Sequence, residues 1–125
     1  INCLNINFIH STIGDYIKEN VTNPSKDKFD LCYAFGLFDY FNKDIAKMVI
    51  KFILPQIKKG GRIIISNISM DNMNYKYFSE FCMDWYLVYR SKKELEKIVP
   101  KSSLIKNYRI LEIEKGMMKF LEINC

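Results

Sequence analysis

The sequence predicts an α/β fold with a mainly parallel sheet that ends in an antiparallel hairpin. Two short apolar runs, residues 29–34 and 62–67, flank a segment of helical period, and two parallel strands need a crossover of this kind. Two further strand-like runs, 104–114 and 117–123, are separated by a Lys-Gly pair, which is short enough for a hairpin. The 125 residues are expected to form one domain.

The chain opens with a predicted strand and a short helix. Residues 4–9 alternate apolar and polar side chains, which is the period of a strand with one buried side. A helix is expected over residues 13–19, with Ser11 or Thr12 as its N-cap.

The crossover between the first two apolar runs predicts a helix over residues 43–57. Asn42 is its expected N-cap, and Pro55 should bend or end it. The pair Gly60 and Gly61 then predicts a tight turn into the next strand. The apolar positions recur every three or four residues, as in a helix that packs one face on a sheet: Ile45, Met48, Val49, Phe52 and Ile53.

The second half of the chain predicts two more helices before the hairpin. The first covers residues 74–85, and residues 86–90 then run extended. Ser91 and Glu94 form a predicted capping box for the second helix, residues 92–99, which a proline ends. The first of these helices has an aromatic-rich stripe at helical spacing: Tyr77, Phe78, Phe81, Cys82 and Trp85.

Composition narrows the function classes only slightly. The net charge of +5 comes from lysines scattered over predicted helix faces, a pattern typical of solvated surfaces. The four cysteines form no metal-binding spacing, so reduced thiols are expected. No apolar run approaches the ~20 residues of a membrane span, and no signal peptide is visible, which predicts a cytoplasmic protein without a membrane partner. The start at Ile1 predicts a fragment of a longer protein.

Several stretches resemble class I S-adenosylmethionine-dependent methyltransferases from Leu4 onward. Phe29-Asp30 matches the pair that opens the family's fourth strand, Gly60-Gly61 matches its turn before the fifth, and the hairpin matches its last two strands. A bacterial branch of small-molecule or fatty-acyl methyltransferases is similar in three runs: 36–40, 61–67 and 84–90. The resemblance implies a Rossmann-like sheet, truncated to strands 3-4-5-7-6 of the family's order 3-2-1-4-5-7-6.

The family's glycine-rich cofactor loop has no counterpart in this sequence. The five glycines form no GxGxG pattern, and close approach of backbone to cofactor depends on such glycines. The resemblance therefore implies that this chain alone binds S-adenosylmethionine weakly or not at all. It also leaves the edge of the strand 29–34 bare, so we expect pairing there with the missing N-terminal half, with a second copy, or with residues 4–9.

The resemblance implies cofactor contacts at the ends of two strands. Ser11 and Thr12 end the strand that matches the family's third, near the adenine, although both are equally suited to capping a helix. Ala34, Phe35 and Gly36 follow the fourth strand and face the methyl donor. Gly36 is also explained if the chain needs a positive φ at this turn.

Substrate contacts are expected on the same side, and each has a structural alternative. For Asp39 the favoured alternative is a cap of the next helix. Asn67 is alternatively a loop residue that bonds its own backbone, and Arg90 is alternatively an ion-pair partner of Glu94. The expected substrate-binding residues are Asp39, Tyr40, Asn67, Trp85, Tyr89 and Arg90.

The leading prediction is methyl transfer from S-adenosylmethionine to a small-molecule or acyl substrate. The methyl donor is already activated, and alignment supplies much of the rate, so the chain needs no catalytic triad. One alternative is a non-catalytic methyltransferase-like interaction domain. The other is a basic nucleic-acid-binding α/β domain, which ranks last because only charge and aromatic content favour it and no nucleic-acid-binding motif is present.

Overall fold

The computed structural model describes residues 6–22, 28–71, 73–113 and 116–125. Strands β1 (Phe29–Ala34), β2 (Ile57–Ile68), β3 (Asn107–Ile113) and β4 (Met118–Asn124) form one sheet in the order β1-β2-β4-β3. The pair β1 and β2 is parallel, and the other two pairs are antiparallel. The predicted α/β class and the terminal hairpin are therefore confirmed.

In the described part of the chain, four α-helices accompany the sheet: α1 (Ile13–Thr22), α2 (Lys43–Ile53), α3 (Met73–Met83) and α4 (Lys92–Ile98). Helices α2 and α4 bury apolar side chains against one sheet face, where Ile50, Leu95 and Ile98 are fully buried. The sheet contributes alternate residues of its two central strands, because successive side chains of a strand point to opposite faces. These are Ile63, Ile65, Leu121 and Ile123.

The crossover follows the prediction at its start and departs from it at its end. Asn42 Oδ1 accepts hydrogen bonds from the backbone N of Asp44 at 3.1 Å and of Ile45 at 2.9 Å, so it is the N-cap. Helix α2 ends at Ile53, and a 3₁₀ turn over Leu54–Gln56 includes the proline. Strand β2 then begins at once, so the predicted Gly-Gly turn lies inside a strand.

The glycine pair accommodates a bulge in β2. Phe29 pairs with Ile57, but Leu31 pairs with Arg62, so β2 has extra residues between the two pairs. Gly60 takes a φ of +84° within this bulge, a conformation that suits glycine.

The other predicted boundaries hold within a few residues. Helix α3 ends at Met83, where Asp84 takes a φ of +49°. Trp85 N then donates to Ser79 O at 2.9 Å, which closes the last turn of the helix. The capping box of α4 is confirmed: Ser91 Oγ accepts from Glu94 N at 3.3 Å, and Ser91 N donates to Glu94 Oε2 at 2.8 Å.

The predicted first strand is wrong where the structure describes it. Residues 6–9 have no regular structure and pair with no strand, while residues 4 and 5 lie outside the described part. Strand β1 therefore forms an edge of the sheet, and Leu31 and Tyr33 are 48% and 65% exposed. Residues 4–9 were expected to cover this edge, and the four of them that the structure describes, residues 6–9, do not.

We expect Gly61→Ala to lower the free energy of unfolding by about 1–3 kcal/mol through overpacking. A Cβ at this position would lie 2.6 Å from Ile57 Cγ2 and 2.9 Å from Asp30 O, and the backbone oxygen cannot move aside. Urea denaturation measures the change. In the control Gly14→Ala, the added Cβ would lie 4.0 Å from Thr12 Oγ1, and we expect no loss and a gain of up to about 1 kcal/mol, because alanine favours the helix. Equal effects of the two substitutions would contradict the bulge account.

Candidate functional site

The loop after β1 lies at the carboxyl edge of the parallel strand pair. Gly36 N donates a hydrogen bond to Ser66 Oγ at 3.0 Å, which fixes the loop against β2. Gly36 has a φ of +71°, and no atom lies within 4 Å of the position that a Cβ would take. The loop backbone therefore borders open space at the sheet edge where α/β folds bind ligands.

Ser66 is a site residue that the sequence analysis missed. Its side chain is 1% exposed and lies on a strand otherwise rich in isoleucine. A buried hydroxyl needs a hydrogen-bond partner. A serine at the end of a run of isoleucines could therefore have indicated a polar contact at this position.

The three residues expected to face the methyl donor lie next to one another, but they differ in exposure. Ala34 is half-buried, whereas Phe35 is 60% exposed. The Phe35 ring contacts Tyr33 at 5.3 Å and Phe120 at 5.7 Å between ring centroids. These rings form an exposed aromatic surface beside the Gly36 loop.

Three of the expected substrate contacts are brought together in one buried network. Asp39 Oδ1 accepts hydrogen bonds from Asn67 Nδ2 at 2.8 Å and from Ile68 N at 2.7 Å. Asn67 Nδ2 also donates to Val88 O at 2.8 Å. Asn67 and Asp39 are 0% and 6% exposed, so both side chains are used within the fold. The helix-cap interpretation of Asp39 is wrong, because Asn42 caps α2.

Arg90 completes this network. Its Nη1 donates to Phe38 O at 2.8 Å and to Asn67 Oδ1, and its Nη2 donates to Phe41 O. The side chain is 3% exposed. The alternative ion pair with Glu94 is absent from the described residues, since the Glu94 carboxylate accepts instead from the backbone and hydroxyl of Ser91.

Burial shifts both charged members of the network toward their neutral forms. It raises the pKa of the Asp39 carboxyl, against the opposing effects of the bond from Ile68 N and the Arg90 charge. It lowers the pKa of the Arg90 guanidinium, against the opposing charges of Asp39 and Glu94. Arginine nevertheless stays protonated in proteins, so the network has a permanent positive charge.

The remaining expected substrate residues separate into exposed and buried groups. Trp85 Nε1 donates to Tyr40 Oη at 3.0 Å, and these side chains are 37% and 57% exposed. Tyr89 is buried, with its Oη 2.6 Å from Ser79 Oγ. Tyr40 and Trp85 are therefore accessible to a substrate, whereas Tyr89 packs within the fold.

Ser11 and Thr12 are exposed at the start of α1. Thr12 Oγ1 accepts a hydrogen bond from Asp15 N at 3.1 Å, which is an N-cap contact. Ser11 Oγ donates to Thr12 O at 3.0 Å. Of the two readings given by the sequence, helix capping is the one that Thr12 shows.

A second polar cluster, also missed from the sequence, lies at the same edge of the sheet. Lys119 is 1% exposed, and its Nζ donates to the Asp71 carboxylate and to Glu112 Oε1, the latter at 2.9 Å. Burial tends to lower the pKa of Lys119, but its hydrogen bonds to the two carboxylates and their negative charges outweigh this effect, so the pKa is raised. The hydrogen bonds that the Asp71 carboxylate accepts from Lys119 and Ser69 lower the pKa of Asp71. The cluster joins the hairpin to the segment after β2.

The described residues contain neither a cluster of metal-binding side chains nor a helix that could cross a membrane. No three His, Cys, Asp or Glu side chains of this part of the chain are grouped to hold an ion. None of its helices combines the length and apolar character that a bilayer requires.

Comparison with known proteins gives a fold relationship. No protein-family model matches the chain, and no curated protein matches it significantly. A SAM-dependent methyltransferase from Thermotoga maritima is 15% identical with a TM-score of 0.61, over 81% of this chain and 58% of its own. The S-adenosylmethionine-dependent methyltransferase SibL is 8% identical with a TM-score of 0.62. The match covers 79% of this chain and 33% of SibL. PigF, solved with S-adenosylhomocysteine (SAH), is 17% identical with a TM-score of 0.57. The match covers 77% of this chain and 30% of PigF.

The chain therefore shares the fold of part of these S-adenosylmethionine-dependent methyltransferases. At these identities the likeness is one of fold alone. The chain spans between 30% and 58% of the length of these three proteins.

We expect Arg90→Met to lower the free energy of unfolding by about 3–5 kcal/mol. The change leaves Phe38 O and Phe41 O without their donor and Asp39 without a nearby positive charge. Arg62→Met is the matched control, because that side chain is 56% exposed and lies 3.8 Å from Glu122, which keeps its closer partner Arg109 at 2.8 Å. Such a contact is worth about 1 kcal/mol or less. Chemical denaturation of both variants measures the difference, and similar losses would show that the Arg90 network is unimportant.

We expect the stability of the protein, relative to its Asp39→Asn variant, to fall as pH rises from 4 to 7. The pKa of Asp39 is raised in the folded state, so the folded protein binds more protons above the unfolded pKa of about 3.9. Stability is then greatest below that pKa and is lost as pH rises through the folded pKa. Asparagine retains the acceptor oxygen but does not titrate. Denaturation curves of both proteins at several pH values measure the difference, and a rising difference would contradict the assigned shift.

Proposed function

We propose that the chain forms the acceptor side of a S-adenosylmethionine-dependent methyltransferase that acts on a small-molecule or acyl substrate. The Gly36 loop supports this proposal most directly. It lies at the carboxyl edge of β1 and β2, where ligands bind in α/β sheets, and its backbone borders open space. The fold shared with methyltransferases indicates the class of ligand.

The Gly36 loop suits a cofactor that approaches the backbone closely. A side chain at this position would extend into the space where no protein atom lies within 4 Å. When bound, S-adenosylmethionine supplies an activated methyl group. The chain's own contribution is then to hold that group and the acceptor in line, a positional effect that can supply much of a rate enhancement.

The network of Asp39, Asn67 and Arg90 is proposed to position the acceptor side rather than to touch the substrate. Its donors and acceptors are used within the fold, and they hold the segment after β1 against β2. Tyr40 and Trp85 are the proposed substrate contacts, because both are partly exposed and their polar atoms are already oriented toward each other. A flat aromatic pair suits an apolar or planar acceptor.

The main cradle of the methyl donor is proposed to come from another segment. The sequence has no glycine-rich GxGxG loop, and β1 ends the described sheet with a free edge. Unpaired strand edges with exposed apolar side chains readily pair with further strands. An N-terminal half or a second copy of the chain is the proposed partner at this edge, and the proposed location is the cytoplasm.

We expect SAH to bind with micromolar affinity to the protein expressed with all codons that precede Ile1 in its reading frame. Gly36→Ala should weaken this binding at least tenfold, because the new methyl group occupies the proposed cofactor space. Gly116→Ala is the matched control: Gly116 also has a φ of +71°, so both variants carry a similar backbone strain. Isothermal titration calorimetry measures the affinities.

The same titration on the 125-residue chain should show no micromolar binding. Equal losses in the two glycine variants would mean that strain alone weakens binding, which would contradict the placement of the cofactor. Absence of SAH binding by the longer protein would overturn the enzyme proposal and favour a non-catalytic methyltransferase-like interaction domain.

A further inference from the structure

A large cavity lies at the opposite end of the sheet from the Gly36 loop. It has a volume of about 540 Å³, which is within the range of small-molecule sites. It opens where β1 and β2 begin and where β4 ends, so it is separate from the proposed methyl-transfer edge. Its walls come from segments far apart in the sequence: Lys28, Leu54, Pro55, Ile57, Lys58, Lys59, Ser103, Leu104, Lys106 and Cys125.

The cavity combines an apolar wall with a cationic rim. Leu54 and Ile57 are buried members of the hydrophobic core, and Leu104 lines the cavity while remaining 49% exposed. Four of the ten lining residues are lysines, and none is an aspartate or a glutamate. These lysines are Lys28, Lys58, Lys59 and Lys106.

The positive charge of the rim is only partly neutralised. Lys58 Nζ pairs with Asp30 at 2.8 Å. Within the described ranges, the ammonium groups of the other three lysines have no carboxylate partner within 4.0 Å. Glu122 lines a neighbouring cavity, but its carboxylate pairs with Arg62 and Arg109. Among the described side chains that line the cavity, an entering anion therefore meets lysines and no carboxylate.

We propose that this cavity binds an organic anion that has a short apolar chain. The anionic group, a carboxylate or a phosphate monoester, lies among Lys28, Lys59 and Lys106, and lysine binds such groups as a point charge. The apolar chain packs against the leucine and isoleucine side chains of the wall, where burial of each CH₂ contributes about 0.8 kcal/mol. An inorganic anion would contact only the lysines of the rim, and a neutral apolar chain would contact only the apolar wall.

Decanoate, methyl decanoate and acetate test the two parts separately. NMR titration of the protein should show saturable decanoate shifts at the amides of Lys59, Leu104 and Lys106, at sub-millimolar concentration. Methyl decanoate lacks the charge and acetate lacks the chain, so each should bind at least tenfold more weakly. Decyl phosphate should bind at the same amides.

Two double variants separate a built site from general attraction to a basic protein. Lys59→Ala with Lys106→Ala should weaken decanoate binding at least tenfold. Lys18→Ala with Lys93→Ala removes the same charge from exposed positions outside the cavity and should change the affinity less than twofold. Both double variants replace exposed side chains, so thermal melts should show unchanged folding.

Several results would overturn this proposal. Absence of saturable binding would do so, and so would equal losses in the two double variants. Equal affinity for acetate would show that the apolar wall plays no part. Decanoate shifts centred on Leu31 and Tyr33 would place the ligand on the exposed sheet edge instead. None of these outcomes depends on SAH binding, which tests the methyl-transfer site at the other end of the sheet.

Discussion

The buried guanidinium of Arg90 is the constraint on which the candidate site depends. It donates to the backbone oxygen of Phe38, which begins a 3₁₀ turn over Phe38–Tyr40, and to that of Phe41, which follows the turn. It also donates to Asn67 on β2. Such a charge is expensive to bury without partners, so the loop can occupy only conformations that present these oxygens. Asp39 adds the opposite charge and bonds Ile68 N. The network thereby connects the segment after β1, strand β2 and the segment before α4 into one wall.

The two ends of the sheet have different physical characters. At the carboxyl end, buried polar groups are satisfied internally, and the exposed features are the Gly36 backbone and aromatic rings. At the amino end, lysines surround an apolar cavity and carry most of the local charge. A methyl donor and its acceptor suit the first arrangement, and an amphipathic anion suits the second. The chain can therefore offer two chemically distinct surfaces on one four-stranded sheet.

Local signals in the sequence predicted the secondary structure well, because their interactions span only a few residues. The caps at Asn42 and Ser91 and the final hairpin are examples. The polar network could not be predicted in this way, since Phe38 and Arg90 are 52 positions apart and their contact depends on tertiary structure. The alternating pattern of residues 6–9 was misleading for a related reason: a strand forms only where a neighbouring strand supplies hydrogen bonds.

The central claim is that the Gly36 loop faces the methyl donor while another segment, paired with the free edge of β1, holds most of that donor. A crystal structure of the longer protein with SAH tests this claim most directly. The account predicts the sulfur-bearing end of SAH beside Ala34, Phe35 and Gly36, with a further strand on the outer side of β1. SAH bound at another edge of the sheet, or β1 exposed to solvent in that crystal, would contradict it.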